Sequence, residues 1–310
     1  MTQHSNPAGL QRLAAEVAKQ PAARAQFYIE LGQGWMNAGN SAAAIASFEE
    51  AYKRKPQSPV IVLNLADAWT ESGQAARAIA MLQSAIQLAP HEALLKYQLG
   101  IAQTQVGDDA QALRAFEAAV ATDPDLAEAH NLLGARLASA GDFDRAGDEF
   151  AAALRIHPDF PDALGNYGHW YAAKHDNVRA AYYFARSVKL KPDDAEVRTN
   201  YAVALAGLGR WSEAREQIDA ALRIEPKLAD AHNFKGTLLE RAGMRKEALV
   251  EFLEAIRLRP GFALASLNAG KILASQGEVA GAERYLRAAA AGGEPAIAAQ
   301  ASAILRQLGR

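Results

Sequence analysis

Carboxamide side chains recur along this chain at a fixed interval. Asn64, Gln98, Asn166, Asn200 and Asn268 are separated by 34 residues or by a multiple of 34. A carboxamide both donates and accepts hydrogen bonds, so it can bind the N–H and C=O groups of a peptide backbone. A regular series of such groups favours recognition of a ligand that itself repeats, such as an extended polypeptide.

Acidic side chains follow the same interval at Glu128, Asp162, Glu196 and Asp230. On a binding surface these carboxylates would select a basic ligand. Acidic residues in the first turn of a helix also interact favourably with the helix dipole. Both interpretations of the acidic series remain open at this point.

The other reactive side chains do not form a catalytic pattern. The chain has no cysteine, which excludes disulfides, thiol chemistry and metal sites with cysteine ligands. His169 and His175 are six residues apart and lie on different sides of a helix, so they cannot form a metal-binding pair. There is also no phosphate-binding loop and no nucleophile motif. We therefore expect no enzyme activity, no cofactor and no metal.

Composition limits the partners and the compartment. The 310 residues include 33 basic and 35 acidic ones, for a net charge of −2, which argues against binding to nucleic acid. No apolar window approaches the length of a membrane span, and the first residues lack the apolar core of a signal peptide. We expect a cytoplasmic protein, although a periplasmic location and a fragment of a longer chain are also compatible with the sequence.

The carboxamides belong to an internal repeat that prolines mark. These prolines are 34 residues apart and are Pro56, Pro90, Pro124, Pro158, Pro192, Pro226 and Pro260. With the proline at position 32 of the repeat, eight repeats begin at Ala25, Pro59, Ala93, Ala127, Pro161, Ala195, Ala229 and Ala263. A period of this length indicates stacked helical units, none of which buries its apolar face alone.

Several positions of the repeat keep one residue type. Position 20 is alanine in all eight repeats, position 8 is glycine or alanine, and position 24 is mostly phenylalanine. We expect the glycine at position 8 to face the alanine at position 20, so that two helix backbones approach closely, with the phenylalanine filling the remaining wedge. This set of positions resembles the tetratricopeptide repeat (TPR) family.

The resemblance implies an all-α, right-handed superhelical solenoid of about eight helix–turn–helix repeats in one continuous domain. The repeats cover residues 25–296, with capping helices at 1–24 and 297–310. The first (A) helices are predicted near 25–38, 59–72, 93–106, 127–140, 161–174, 195–208, 229–242 and 263–276. The second (B) helices are expected to end two or three residues before each proline.

The resemblance also implies that positions 2, 5, 6, 9, 12 and 13 of the A helices line a concave groove. Leu132 and Phe234 interrupt the carboxamides of position 6, but an asparagine precedes each of them. The candidate peptide-binding residues are Asn64, Gln98, Asn131, Asn166, His169, Asn200, Asn233, Asn268, Glu128, Asp162, Glu196 and Asp230. The expected partner is an extended, neutral-to-basic segment of another protein, bound by a monomer. Alternatively, asparagine is simply common at an exposed position of this repeat.

Two other functions fit the same sequence. The chain would serve as a structural or assembly subunit if it associates through its ends or its convex face. It would serve as a non-catalytic targeting module if it belongs to a larger enzyme. Repeat five concentrates aromatic residues, among them Tyr167, Trp170 and Tyr182, which would act either as binding anchors or as local packing. Lys235 departs from an otherwise apolar position, and its stem is expected to reach past the groove edge.

Overall fold

The computed structural model describes residues 7–18 and 24–309. Within these ranges the chain forms 18 helices and no strand, which confirms the predicted all-α class. The helices are α1 (Pro7–Ala18), α2 (Ala25–Asn37), α3 (Ser41–Arg54), α4 (Pro59–Glu71), α5 (Ala75–Leu88), α6 (Ala93–Gln105), α7 (Asp109–Thr122), α8 (Ala127–Ser139), α9 (Phe143–Ile156), α10 (Pro161–Ala173), α11 (Asn177–Leu190), α12 (Ala195–Gly207), α13 (Trp211–Ile224), α14 (Ala229–Arg241), α15 (Arg245–Leu258), α16 (Ala263–Ser275), α17 (Val279–Ala291) and α18 (Pro295–Leu308). Residues 1–6 and 19–23 of the predicted N-terminal capping segment, and Arg310, lie outside the described residues.

The helix boundaries agree with the proline register. Each A helix begins at the first residue of its repeat and ends one residue before the predicted end. The B helices end two residues before the proline in the seven repeats that have it, because a proline ring cannot continue the helix. The eight A helices are thus the even-numbered helices α2 to α16, and the eight B helices are the odd-numbered helices α3 to α17.

The turn between the A and B helices uses a left-handed residue at position 15. Gly107 has φ 76° there, a conformation that glycine adopts without steric cost. The next residue, Asp108, caps helix α7 by accepting a hydrogen bond from the backbone N–H of Gln111 at 3.2 Å. In repeat five the position belongs to His175, which has φ 60° and therefore carries strain that the glycines avoid.

The small residue at position 8 faces the large residue at position 24. A Cβ atom added to Gly236 would lie 2.6 Å from Cε1 of Phe252, whereas ordinary contacts begin at 3.4 Å. In repeats two and six, where position 8 is Ala66 or Ala202, position 24 is the narrower Leu82 or Ile218. The expectation that alanine at position 20 sets the need for glycine is thus incomplete, because the phenylalanine ring makes the nearer contacts.

The helices form two compact units, one ending at Pro158 and the other beginning at Asp159. In each unit a helix packs mainly against its sequence neighbours, as α4 does against α3 and α5. Helix α1 joins the core of the first unit through Leu10, which is 1% exposed. Helix α18 joins the core of the second unit through Ile297 and Ala301. Over the described ranges, none of the helices has both the length and the apolar character that crossing a membrane requires.

Candidate functional site

We call the residues at positions 2, 5, 6 and 9 of the A helices the A-helix surface. The predicted site residues differ in exposure on this surface. His169, Glu128, Asp162 and Glu196 are exposed; Asn64, Asn166, Asn200, Asn268 and Asp230 are half-buried; and Gln98, Asn131 and Asn233 are buried. Sequence spacing therefore identified positions of one surface, but it did not separate accessible side chains from packed ones.

In the first unit the carboxamides are linked to the preceding repeat. Gln33 donates from Nε2 to Oδ1 of Asn64 at 3.4 Å, and Gln98 donates from Nε2 to Oδ1 of Asp67 at 3.0 Å. Each bond joins position 9 of one A helix to position 6 of the next. Asn64 also donates from Nδ2 to the carbonyl of Val60 at 2.7 Å, which fixes its rotamer. The result is a polar rung between neighbouring repeats.

The second unit has the same rung between His169 and Asn200. The Nδ2 atom of Asn200 lies 2.9 Å from Nε2 of His169 and 2.9 Å from the carbonyl of Glu196. Since the amide supplies the protons, His169 accepts at Nε2 and must be neutral. The ring also lies edge-on to Phe184, with centroids 5.2 Å apart. The neighbouring atoms partly desolvate the ring although the residue is exposed at the surface, and this desolvation lowers the pKa of His169, which favours the same neutral form.

Repeats seven and eight are linked one position differently. Asn268 donates from Nδ2 to Oδ1 of Asn233 at 3.4 Å, and Asn233 is at position 5 of its repeat, not position 9. Phe234 occupies the position where a carboxamide would continue the series. Asn233 is only 7% exposed, so its role is to hold the side chain of Asn268 in place and not to contact a ligand directly. Asn131, at the same position in the first unit, is 4% exposed.

Half of the acidic series is neutralised by bases of the same repeat. Nζ of Lys191 is 3.3 Å from Oδ1 of Asp162, and Arg259 forms an ion pair with Asp230. The charge of Asp162 is the largest cause of the raised pKa of Lys191. Glu128 and Glu196 are exposed, and among the described residues neither has an ionic partner. The surface is therefore less acidic than the four aligned carboxylates suggest.

A shallow cavity of about 360 Å³ lies on the A-helix surface of the first unit. Its polar wall is made of Asn64, Asp67 and Gln98, so a rung forms one side of it. Leu94, which is 46% exposed, and Tyr97 contribute to the apolar wall. A site of this kind, mainly apolar with a few placed hydrogen-bonding groups, suits one residue of an extended peptide.

The aligned histidines His130 and His232 form clamps between repeats. His130 places Nδ1 2.5 Å from a carboxylate oxygen of Glu149 and Nε2 3.0 Å from the carbonyl of Pro124. His232 has equivalent contacts to Glu251 and Pro226 at 2.6 and 3.0 Å. Both ring nitrogens of His130 face acceptors, so its clamp is complete only when that imidazole is protonated. The hydrogen bond that the ring donates to Glu149 accordingly raises the pKa of His130.

Arginine makes the same clamp in repeat six. Arg198 donates from Nε to the carbonyl of Pro192 and from Nη1 to Oε1 of Gln217, both at 2.8 Å. Since arginine is always charged, this clamp does not depend on pH. The two histidines and the arginine thus link neighbouring repeats by hydrogen bonds, and no group of three or more metal-ligating side chains occurs in the described ranges.

Family models decide what kind of repeat this is. Three models described as tetratricopeptide repeats match residues 29–93 and 233–301, residues 70–135, and residues 168–238. The chain belongs to the tetratricopeptide repeat family. A comparison with curated proteins finds no significant match.

Solved structures with the same fold include larger and smaller TPR proteins. The Cut9–Hcn1 hetero-tetramer of the APC/C matches with a TM-score of 0.71 at 16% identity, and the match covers 97% of this chain. This chain spans only 59% of that one. YrrB, described as a TPR protein with an unusual peptide-binding site, matches at 26% identity with a TM-score of 0.51, over 61% of this chain and 97% of YrrB. TTC0263, a thermophilic TPR protein of Thermus thermophilus, matches at 24% identity with a TM-score of 0.51, over 59% of this chain and 99% of its own.

The partners of several predicted site residues were not themselves among the predicted site residues. Gln33 and Asp67 are rung partners of predicted residues, and Lys191 and Arg259 neutralise two predicted acids. The sequence did contain a signal for these partners, because each kind of contact joins residues at a fixed separation along the chain. Most rungs join residues 31 apart, and both ion pairs join residues 29 apart. Reading only the 34-residue interval overlooks these offsets, because the two partners occupy different positions of the repeat.

Proposed function

We propose that this TPR protein is a binding scaffold whose A-helix surface holds an extended, neutral-to-basic segment of another protein. The observation that carries the proposal is the recurrence of polar rungs on that surface in both units. YrrB, a relative in fold that is described as having a peptide-binding site, supports the same kind of ligand. The proposed role is binding and not catalysis.

The rungs leave hydrogen-bonding capacity for a ligand. Both amide protons of Asn200 are used, by His169 and by the carbonyl of Glu196. Its Oδ1 oxygen accepts no hydrogen bond from any described residue. Asn268 uses one amide proton for Asn233 and keeps the other, together with its oxygen. Such groups match the alternating N–H and C=O groups of an extended peptide backbone.

The rungs also hold these groups in place before a ligand binds. The carboxamides of Asn64 and Asn200 are fixed both by their own helix and by the preceding repeat. Less side-chain entropy is then lost on binding, which favours affinity. Each hydrogen bond adds only about 0.5–1.5 kcal/mol, so a useful affinity requires several rungs to contact one ligand.

The charges on the A-helix surface limit which ligands it can bind. Glu128 and Glu196 are exposed carboxylates, whereas Asp162 and Asp230 already have basic partners. A neutral segment would bind without separating these ion pairs, and one or two basic residues would add favourable contacts. A strongly acidic segment would meet like charge at Glu128 and Glu196, which disfavours it.

The test begins with selection of a ligand. A phage-displayed library of random peptides is screened against the protein, and the strongest peptide is titrated by calorimetry. Replacing both Asn166 and Asn200 by alanine is expected to weaken the dissociation constant about tenfold or more, by loss of two or more hydrogen bonds. The matched control replaces Gln87 and Gln111, exposed carboxamides on B helices, and is expected to bind normally.

Circular dichroism of both double variants verifies that the helices are intact. If the selected peptide binds the Asn166→Ala, Asn200→Ala variant as tightly as the wild type, the A-helix surface of the second unit is not the site. If no peptide is selected at all, association through the ends or the B helices becomes the better explanation of the fold.

A further inference from the structure

A second cavity lies away from the A-helix surface, between α13 and α14 of the second unit. Its volume is about 390 Å³, within the usual range of about 300–1,000 Å³ for ligand sites. It opens where α13 begins, at Trp211, and where α14 ends, at Arg241. The α14 residues that line it are Lys235, Leu238, Leu239 and Arg241, at positions 7, 10, 11 and 13 of the repeat. The rungs use positions 6 and 9, so the floor of the cavity lies on a different face of the helix, whereas Arg241 stands at a position that the family resemblance places along the groove.

Lys235, which lines the cavity, stands at a position where most repeats have a large apolar side chain. Position 7 is leucine in the first four repeats and tyrosine in the next two. Leu65 and Leu133, for example, are 1% and 2% exposed at this position. The amine of Lys235 instead lies 3.1 Å from Glu251 and 3.9 Å from Asp219. Because the ammonium lies at these carboxylates, its stem leaves Leu238 and Leu239 partly uncovered, and these two half-buried side chains form an apolar floor beside the fully buried Ile218.

The rim of the cavity is basic. Arg215, Lys235 and Arg241 line it together with a single carboxylate, Asp219. Arg215 lies 3.7 Å from Asp219, so that carboxylate is already shared by two bases. Arg241 stacks its guanidinium over the ring of Trp211 at 3.8 Å, and no carboxylate of the described residues pairs with it. Stacking occupies the face of a guanidinium and leaves its in-plane N–H donors directed outward, where they can bind a carboxylate in bidentate fashion.

The shape of the rim indicates how a ligand would enter. Trp211 is 36% exposed, and Arg215 and Arg241 are exposed at the surface. A group bound here would touch apolar side chains below and solvent above. This is the situation of a side chain that projects from a protein segment lying across the opening, and the basic rim fits a segment with a carboxylate beside that side chain.

We propose that this cavity binds an acidic partner segment, which inserts one bulky apolar side chain onto the floor formed by Leu238 and Leu239, while a neighbouring carboxylate pairs with Arg241. The site is independent of the peptide-binding function proposed for the A-helix surface. It also selects the opposite charge, because the A-helix surface favours a neutral-to-basic segment. One scaffold would then have two docking sites for chemically distinct segments.

The experiment uses the indole N–H signals in a proton–nitrogen NMR spectrum of the full chain. The chain has four tryptophans, so four such signals are expected, and Trp211→Phe assigns the one at the cavity. The probe is a blocked pentapeptide, Gly-Glu-Phe-Glu-Gly. Control peptides replace both glutamates by glutamine, or the phenylalanine by alanine. A fourth probe, 3-phenylpropionate, carries the same apolar group and carboxylate without a peptide.

The proposal expects the Trp211 signal to shift with increasing concentration of the Glu-Phe-Glu peptide. Each control peptide is expected to bind about tenfold more weakly or less, since each lacks one of the two contacts. Lys235→Leu restores the residue common at position 7 and fills the cavity, so it should abolish the shift while keeping the fold. Arg241→Gln should weaken binding about tenfold by removing the charged donor. Asn200→Ala, on the other site, should leave binding unchanged.

Three results would overturn the proposal. The first is the absence of any Trp211 shift up to about 5 mM peptide, beyond which a specific docking affinity has no meaning. The second is full-strength binding to the Lys235→Leu variant. The third is binding of 3-phenylpropionate as tight as that of the peptide, which would assign the cavity to a small aromatic acid and not to a protein segment.

Discussion

The contact between position 8 and position 24 predicts that Gly236→Ala destabilises the protein when residue 252 is phenylalanine and stabilises it when residue 252 is leucine. Gly236 lies in the middle of α14, and an added Cβ would be 2.6, 2.8 and 3.0 Å from three atoms of the Phe252 ring. Ordinary contact begins at 3.4 Å, so the ring would have to retreat by roughly 1 Å in a core where it is fully buried. Such overpacking costs about 1–3 kcal/mol. Alanine is favoured over glycine in a helix by about 1 kcal/mol, which leaves Gly236→Ala destabilising by up to about 2 kcal/mol.

The same change should stabilise the protein once the ring is gone. Phe252→Leu alone leaves space above Gly236 and is expected to cost about 1–2 kcal/mol. Adding Gly236→Ala to it refills that space and gains helix propensity, so stability should rise by about 0.5–1 kcal/mol. The double variant reproduces the pair that repeat two already has, Ala66 with Leu82, both fully buried.

Urea unfolding followed by circular dichroism measures the four free energies of this cycle. Because stacked repeats need not unfold in one step, hydrogen exchange of the backbone amides in α14 and α15 gives the local values. The expected coupling energy is about 0.5–3 kcal/mol. If Gly236→Ala is destabilising by the same amount with and without Phe252→Leu, the glycine is there for another reason and the packing argument is wrong.

Three further predictions concern single residues. Glu149 raises the pKa of His130, so the clamp contributes its full stability below about pH 6.5, the pKa of an unperturbed histidine, and loses it as pH rises through the folded pKa. Denaturant titrations from about pH 6 to pH 9 should show this fall in the free energy of unfolding. His130→Arg copies the clamp of Arg198, so it should remove this fall in the free energy of unfolding. Phe150→Ala should destabilise the first unit by roughly 3–5 kcal/mol in urea unfolding, and a change below about 0.5 kcal/mol would contradict the assigned register. His175→Gly should stabilise the second unit by about 0.5–1 kcal/mol, measured as a higher midpoint of thermal unfolding, because glycine adopts the positive φ without strain; a lower midpoint would count against strain at this turn.

The fold could be predicted almost entirely because its signals are local and repeated. Pro90 or Gly107 each mark one helix end by backbone geometry alone, and the same mark returns in nearly every repeat. The order of the helices then follows from chain connectivity. Even the departure at His175 could be placed, since the turn requires a left-handed residue whatever its type.

The site was harder to predict because its contacts cross between positions of the repeat. Asn200 was identified from the 34-residue interval, but its partner His169 is 31 residues away, and the interval says nothing about how the two side chains meet. The sequence also did not predict which side chains are exposed, since Asn131 is almost fully buried although the adjacent position lies on the surface. The only sequence signal of the cavity beside Lys235 was a charged residue at an otherwise apolar position of the repeat. Its volume depends on where the ammonium finds carboxylates, which no periodicity encodes.

The central claim is that the A-helix surface holds the partner segment, and NMR of the side-chain amides tests it most directly. The selected peptide, carrying a paramagnetic label, is added to the protein labelled with nitrogen-15 at asparagine and glutamine. The account predicts that the label broadens the side-chain NH₂ signals of Asn64, Asn166, Asn200 or Asn268 and spares those of Gln87 and Gln111 on the B helices. Broadening of the B-helix signals, with the A-helix carboxamides unaffected, would contradict it.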